Sequence, residues 1–222
     1  PCNQILYHTI ATGAFEDKLD SRKVILLVSP TWFRPKGVSS SSYGMRFSES
    51  EYIMFLKNSK VSEELREYVA SRSSDLLKDN KKFSRKLSII NRALLSGKTI
   101  SLPNTILYNV EEYLAFNRDR ITAQSAIRAI SGQSALPSRL FNAKEFAVQA
   151  ETDSLKASSN PINISNHSWE RKFSKIYDNE KNKHCNTISD KSKEFDDLEA
   201  FLKVCDDCNL EVKLIVLPVN GR

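Results

Sequence analysis

The sequence predicts an α/β fold: a parallel sheet flanked by helices, with a large helical insertion between two of its strands. Two short apolar runs carry the first part of that reading. Val24–Val28 leads into Ser29-Pro30-Thr31-Trp32-Phe33, and Val212–Leu217 leads into Pro218-Val219-Asn220-Gly221-Arg222. Unbroken apolar runs of this length suit strands covered on both faces, as in a parallel sheet. The stretch between them is dominated by helical periodicity, which makes the insertion. In open α/β sheets a ligand sits just past the carboxyl ends of the strands. The two polar exits are therefore expected to lie side by side and to share a cleft.

The elements follow in chain order. Residues 3–19 read as a helix with Ile5, His8, Ala11 or Thr12, and Phe15 on one face and Leu19 after them; Asp20 and Ser21 turn the chain into the first strand. Ser39–Ser42 reads as a linker. Phe47-Ser48-Glu49-Ser50-Glu51-Tyr52 is a helix start: Ser48 caps, Glu51 can complete a capping box, and Phe47 staples onto Tyr52. That helix runs to about Asn58. The next begins at Ser62 and carries Leu65, Tyr68, Val69, Leu76 and Leu77; another spans Phe83–Leu95 with Gly97 as its stop. A longer one covers Asn109 to Ile130 before Gly132, and a further one Ala143–Ala157. Residues 48–157 are thus expected to form a helical lobe with no strand of the sheet. Residues 158–190 are polar and read as a long loop anchored by Ile162, Ile164 and Trp169. A last helix, with Phe195, Leu198, Leu202 and Cys205 at helical spacing, feeds the second strand.

The chain begins at Pro1 and stops soon after a strong strand, so the predicted fold is incomplete at both ends. Its composition is globular, with 40% hydrophobic and 27% charged residues. No apolar stretch is long enough to span a bilayer. The net charge of +6 suits a polyanionic partner or an anionic membrane surface, or simply a basic domain. Nucleic-acid binding would require a basic stripe with interleaved aromatics or a known module, and the sequence has neither. Cys2, Cys185, Cys205 and Cys208 include a Cys-x-x-Cys pair. Its partners on a metal would be His184 and Cys185, adjacent residues poorly placed for one tetrahedral ion. Cys205 also falls on the apolar stripe of the last helix, so buried thiols are expected and neither metal nor cofactor is implied.

No Gly-x-Ser-x-Gly, no phosphate-cradling loop and no dinucleotide fingerprint occurs. His8 lies on the inner face of the first helix and reads as a hydrogen-bonded core histidine more readily than as a base. His167 and His184 fall in the polar segment. Trp32 either walls a pocket at the strand end or packs as a rim aromatic. Asn220 either points its amide into the cleft or closes a turn with Gly221. Gln4 opens the first helix.

Taken together, these segments resemble the DltD family. Ser29-Pro30-Thr31-Trp32-Phe33, preceded by Lys23-Val24 and followed by Lys36-Gly37-Val38, is similar to its SPQWF…KG signature. Asn3-Gln4-Ile5-Leu6-Tyr7-His8 with Gly13-Ala14 resembles its TQxLxH…GA stretch. Asn160-Pro161-Ile162, the helix from Ser192 to Cys208 and Pro218-Val219-Asn220-Gly221 match later segments in order. The resemblance implies an SGNH-hydrolase-like fold and a membrane-anchored protein on the outer face of a Gram-positive cell, acting in D-alanylation of lipoteichoic acid. Its partners would be that polymer and the D-alanyl carrier protein or a membrane acyltransferase. It implies that the nucleophilic serine, in a Gly-x-Ser-Glu motif, lies upstream of residue 1 and an Asp-x-x-His pair downstream of residue 222. This chain would then carry no catalytic residue but would supply pocket walls or donors from Gln4, Ser29, Trp32 and Asn220. Pro1-Cys2 replaces the family's Gly-rich approach to Gln4, and cysteines are unusual for such an enzyme. A generic SGNH-type esterase and a non-catalytic adaptor are the alternatives.

Overall fold

The structure is a computed structural model that describes residues 5–18, 22–95, 101–131, 143–160, 165–175 and 191–217. It is mostly helical, with a small parallel sheet of two strands among the described residues. Strand β1 (Lys23–Val28) pairs with β2 (Glu211–Val216) in the register Val24↔Val212, Leu26↔Leu214 and Val28↔Val216. The Leu217 amide donates to the Val28 carbonyl at 2.8 Å, so both strands leave the sheet at the same end, as their apolar runs predicted. At the opposite end Arg22, with φ +50°, donates its guanidinium to the Cys208 and Asn209 carbonyls, and Glu211 N–H returns a bond to the Arg22 carbonyl. These bonds fix the register where β2 begins.

The expectation of strands covered on both faces is corrected. Leu26 and Val28 are buried, but Ile25 and Leu27 are 63% and 50% exposed, and Val216 is 65% exposed. A continuous apolar run reports that both faces of a strand suit burial. Here the described helices cover only the face presented by Leu26 and Val28.

Helix α1 (Ile5–Ala14) packs on α3 (Glu49–Lys57) and on α8 (Lys193–Asp207), which leads into β2. Ile5, Leu6 and Ile10 meet Ile53, Phe55, Phe201 and Val204 in one core. The cap and staple of α3 are as read: the Glu51 amide donates to Ser48 Oγ at 3.3 Å, and the Phe47 and Tyr52 rings lie 5.4 Å apart. The Ser-rich stretch is not a linker. Ser39 caps a short helix, α2 (Ser40–Gly44), which buries Tyr43 and packs on α4 (Glu63–Leu77). Local capping by a serine run outweighs its low helix propensity. Helices α5 (Lys81–Leu95) and α6 (Leu102–Ser131) follow, α6 starting seven residues before the expected Asn109. Buried Glu49 joins them to α3, holding Lys86 at 2.7 Å and Arg118 at 3.2 Å. In α8 the buried face runs through Glu194, Asp197, Phe201, Val204 and Cys205, while Phe195 and Leu202 lie toward solvent. The expected stripe was displaced because periodicity assigns acidic residues to the outside.

Contacts divide the chain into two units, Pro1–Arg128 with Thr187–Leu217, and Ala129–Asn186 with Pro218–Arg222. In the second, α7 (Ala143–Ala157) has the bounds read from the sequence, and residues 166–173, within the expected loop, form short helical turns tied by Asn166 Nδ2 to the Lys156 carbonyl at 3.0 Å. Ile162 and Ile164, expected anchors of that loop, lie outside the described residues.

Gly13 sets how closely α1 approaches its neighbours. A Cβ there would stand 2.6 Å from Phe55 Cδ2 and 3.3 Å from Val204 Cγ1. Helix propensity alone favours alanine by about 1 kcal/mol. Overpacking against a fully buried ring costs about 1–3 kcal/mol. Gly13→Ala is therefore expected to destabilise the protein by about 1 kcal/mol net, and a raised urea midpoint would contradict the close contact.

Candidate functional site

The sheet geometry places the candidate site at the carboxyl end of β1, in the loop from Ser29 to Val38. Pro30 has no N–H and a fixed φ, which suits the start of a helical turn. Residues Pro30–Trp32 form one 3₁₀ turn, closed by Trp32 N–H to the Ser29 carbonyl at 2.9 Å. Ser29 Oγ lies 2.9 Å from Thr31 Oγ1, so its hydroxyl partner is another hydroxyl rather than an imidazole or a carboxylate. The Trp32 side chain is half-buried against the edge of the core. Thus Ser29 and Trp32 sit together at the strand exit. Gln4 and Asn220, the other sequence-based candidates, lie outside the described residues.

The N-terminal turn of α8 holds this loop at several points. Phe33 is buried and stacks on Phe195, with centroids 4.2 Å apart. Ser192, the N-cap of α8, donates its Oγ to the Arg34 carbonyl at 2.8 Å while accepting from the Glu194 amide. Gly37 has φ +56°, and a Cβ on it would stand 2.9 Å from Glu194 Oε1, so glycine is required there on two counts. The Val38 amide then donates to Glu194 Oε1 at 2.7 Å. The turn that closes the loop is thus built against one carboxylate.

That carboxylate belongs to a buried charge cluster. Arg72 on α4 reaches Asp197 at 3.2 Å and Glu194 at 3.7 Å, and Tyr68 donates its hydroxyl to Asp197 at 2.7 Å. Both carboxylates are fully buried. Burial pushes the Glu194 carboxyl up to about 7, opposed by the Val38 amide and Arg72 and reinforced by Asp197. Burial also raises Asp197, against the pull of Arg72 and Tyr68. Glu194, Asp197, Arg72 and Tyr68 were not among the sequence-based candidates. The available signal was Ser192 capping a helix whose first turn holds two acids, together with a Lys-Gly-Val turn after the first strand.

The remaining candidates lie elsewhere. His8 is half-buried on α1 with its ring 5.5 Å from Tyr7; burial, then the nearby Arg46, lower its pKa, so it is neutral at pH 7. Cys205 and Cys208 are buried free thiols, and burial pushes Cys205 up to about 11, which makes it unreactive. Among the described residues no cluster of His, Cys, Asp and Glu is arranged to hold a metal ion. A groove of about 360 Å³ lies beside Leu202, Cys205, Leu210 and Val212, near the start of β2 rather than its exit.

The chain is therefore an α/β protein whose first strand ends in a clamped aromatic loop. It belongs to the DltD family: the family described as "DltD protein" matches residues 1–222. It is similar to Protein DltD of Bacillus subtilis (strain 168), with 21% identity over 231 residues. That alignment covers 99% of this chain and 56% of the relative, so the chain spans about half the length of the curated relative it matches.

The raised Glu194 pKa has a sign that can be tested. The folded state binds this proton more tightly than the unfolded state, whose carboxyl titrates near its ordinary 4.5. Its contribution to stability is complete below that value and is lost as pH rises toward 7. Urea midpoints are expected to fall over this window and to fall less in Glu194→Gln, which keeps the acceptor for Val38. An unchanged slope in Glu194→Gln would place the titrating group elsewhere.

Proposed function

We propose that this chain is the loop-bearing part of a protein that works in D-alanylation of lipoteichoic acid, transferring or hydrolysing D-alanyl esters. Membership of the DltD family supports that pathway. The observation that carries the role of this segment is the clamped Ser29–Val38 loop at the shared exit of β1 and β2. Ser29 and Trp32 wall the substrate pocket; Gln4 and Asn220, to which the family resemblance also gives substrate contacts, lie outside the described residues. Trp32 supplies an apolar ring with a polar N–H, suited to an ester whose two ends differ in polarity.

The reactive serine, histidine and aspartate lie on parts of the polypeptide beyond these residues. The hydroxyl-to-hydroxyl pairing of Ser29 supports this, because an activated serine needs a base in hydrogen-bond reach. Ser29 also precedes Pro30, so the next residue offers no N–H to an oxyanion. The fold in this reading is SGNH-hydrolase-like, and the helices between residues 48 and 157 are its insertion. The partners are lipoteichoic acid and the D-alanyl carrier protein or a membrane acyltransferase. The protein works at the outer face of the membrane, anchored by a segment beyond these residues. Among the described residues no helix is long and apolar enough to cross a membrane.

The test is release of D-alanine from D-alanylated lipoteichoic acid. The 222-residue chain is expected to release none. A longer polypeptide carrying the Gly-x-Ser-Glu and Asp-x-x-His motifs is expected to be active. In it Trp32→Ala should lower turnover about tenfold or more through lost positioning, with an unchanged melting temperature. Release by the short chain that vanishes in Ser29→Ala would overturn the assignment. Inactivity of the longer polypeptide would favour the adaptor.

A further inference from the structure

Helix α6 is apolar on two opposite sides, and among the described residues one of them is covered and the other exposed. Its inner side carries buried Tyr108 and Ala115. The outer side, roughly half a helical turn away, presents Leu102, Ile106, Val110, Tyr113, Leu114 and Ile121, which are 73%, 55%, 49%, 67%, 51% and 60% exposed. From Leu102 to Ile121 this ridge runs about 29 Å. An apolar ridge of that extent on a protein surface marks a contact with another apolar phase or partner.

The charges of α6 say which. Its three carboxylates all turn inward and are paired there: Glu111 with Lys86 at 3.4 Å, Glu112 with Lys57, and Asp119 with the hydroxyls of Ser48 and Ser50. The outer side holds no carboxylate. The cations beyond Tyr113 on that side are Arg120 and Arg128, both exposed. A partner helix would be met by alternating charges flanking an apolar seam. Among the described residues of α6 the apolar ridge is flanked by arginine and by no carboxylate, which fits instead the interface of an anionic bilayer, with Ile and Leu among the acyl chains and the Arg120 guanidinium among lipid phosphates.

We propose that the outer face of α6, from Leu102 to Arg128, lies in the interfacial layer of an anionic lipid membrane. This orients the protein on the bilayer independently of any spanning segment. It goes beyond the ester chemistry proposed above and does not rest on it.

Vesicle flotation tests this with the protein, with phosphatidylcholine vesicles and with vesicles containing phosphatidylglycerol. The protein is expected to float with the anionic vesicles at least tenfold more than with the neutral ones, and less as salt rises. Ile106→Glu with Val110→Glu is expected to lower flotation at least tenfold while leaving the melting temperature unchanged, because both side chains are exposed. Arg120→Glu with Arg128→Glu should reduce binding to anionic vesicles only, a second readout if the first variant is unstable. No flotation, or flotation equal in the protein and both variants, would overturn the proposal. So would a concentration-dependent dimer, seen by light scattering, that Ile106→Glu with Val110→Glu abolishes, since the ridge would then join two copies.

Discussion

The buried Glu194 carboxylate is the constraint on which the rest of the site depends. It accepts the Val38 amide, crowds Gly37 and faces Arg72 at 3.7 Å, so one group ties the loop after β1 to both α8 and α4. Two fully buried acids beside one arginine is a costly arrangement. Replacing such a set with apolar side chains is often neutral or stabilising, so its presence is weak support for stability. What it supplies here is position. Hydrophobic contact tolerates sliding, whereas a 2.7 Å bond from a backbone amide to a buried carboxylate does not.

Position matters because of what the loop follows. β1 and β2 end side by side, and α8 both clamps the loop after β1 and leads directly into β2. The same helix therefore holds the loop at the exit of β1 with its first turn and leads, at its other end, into the start of β2. Ser192, Glu194 and Phe195 hold the loop, and at the far end of α8 Cys205 and Cys208 sit in the core with Leu210, close to the start of β2. Gly13 allows α1 to close on Phe55 and Val204 behind this arrangement. Trp32 can then be half-exposed without being loose, since Phe33 next to it is buried and stacked.

Much of this was legible in the residues. The paired strands, the Ser48 cap and its Phe47–Tyr52 staple, and the bounds of α7 follow from apolar periodicity and capping chemistry, which are local. Family membership was legible through Ser29–Phe33 and Lys36–Val38. The charge cluster was not. Periodicity sends Glu194 and Asp197 outward and Phe195 inward, and the reversal arises only because Arg72 and Tyr68 arrive from a helix more than a hundred residues earlier. The apolar runs of β1 and β2 likewise signalled two covered faces, while Ile25 and Leu27 stand exposed among the described residues. Sequence pattern reports what a side chain suits, and the partner that meets it is a property of the fold.

The most direct test of the clamp is the proton resonance of the Val38 amide, followed by NMR as pH is raised. If Glu194 holds the loop, that resonance is shifted far downfield, is protected from exchange, and moves with a midpoint at about 7 as the carboxyl ionises. In Glu194→Gln the same resonance stays protected but no longer titrates. A Val38 amide that exchanges at the rate of an open loop, or that is indifferent to pH in the unsubstituted protein, would contradict the clamp.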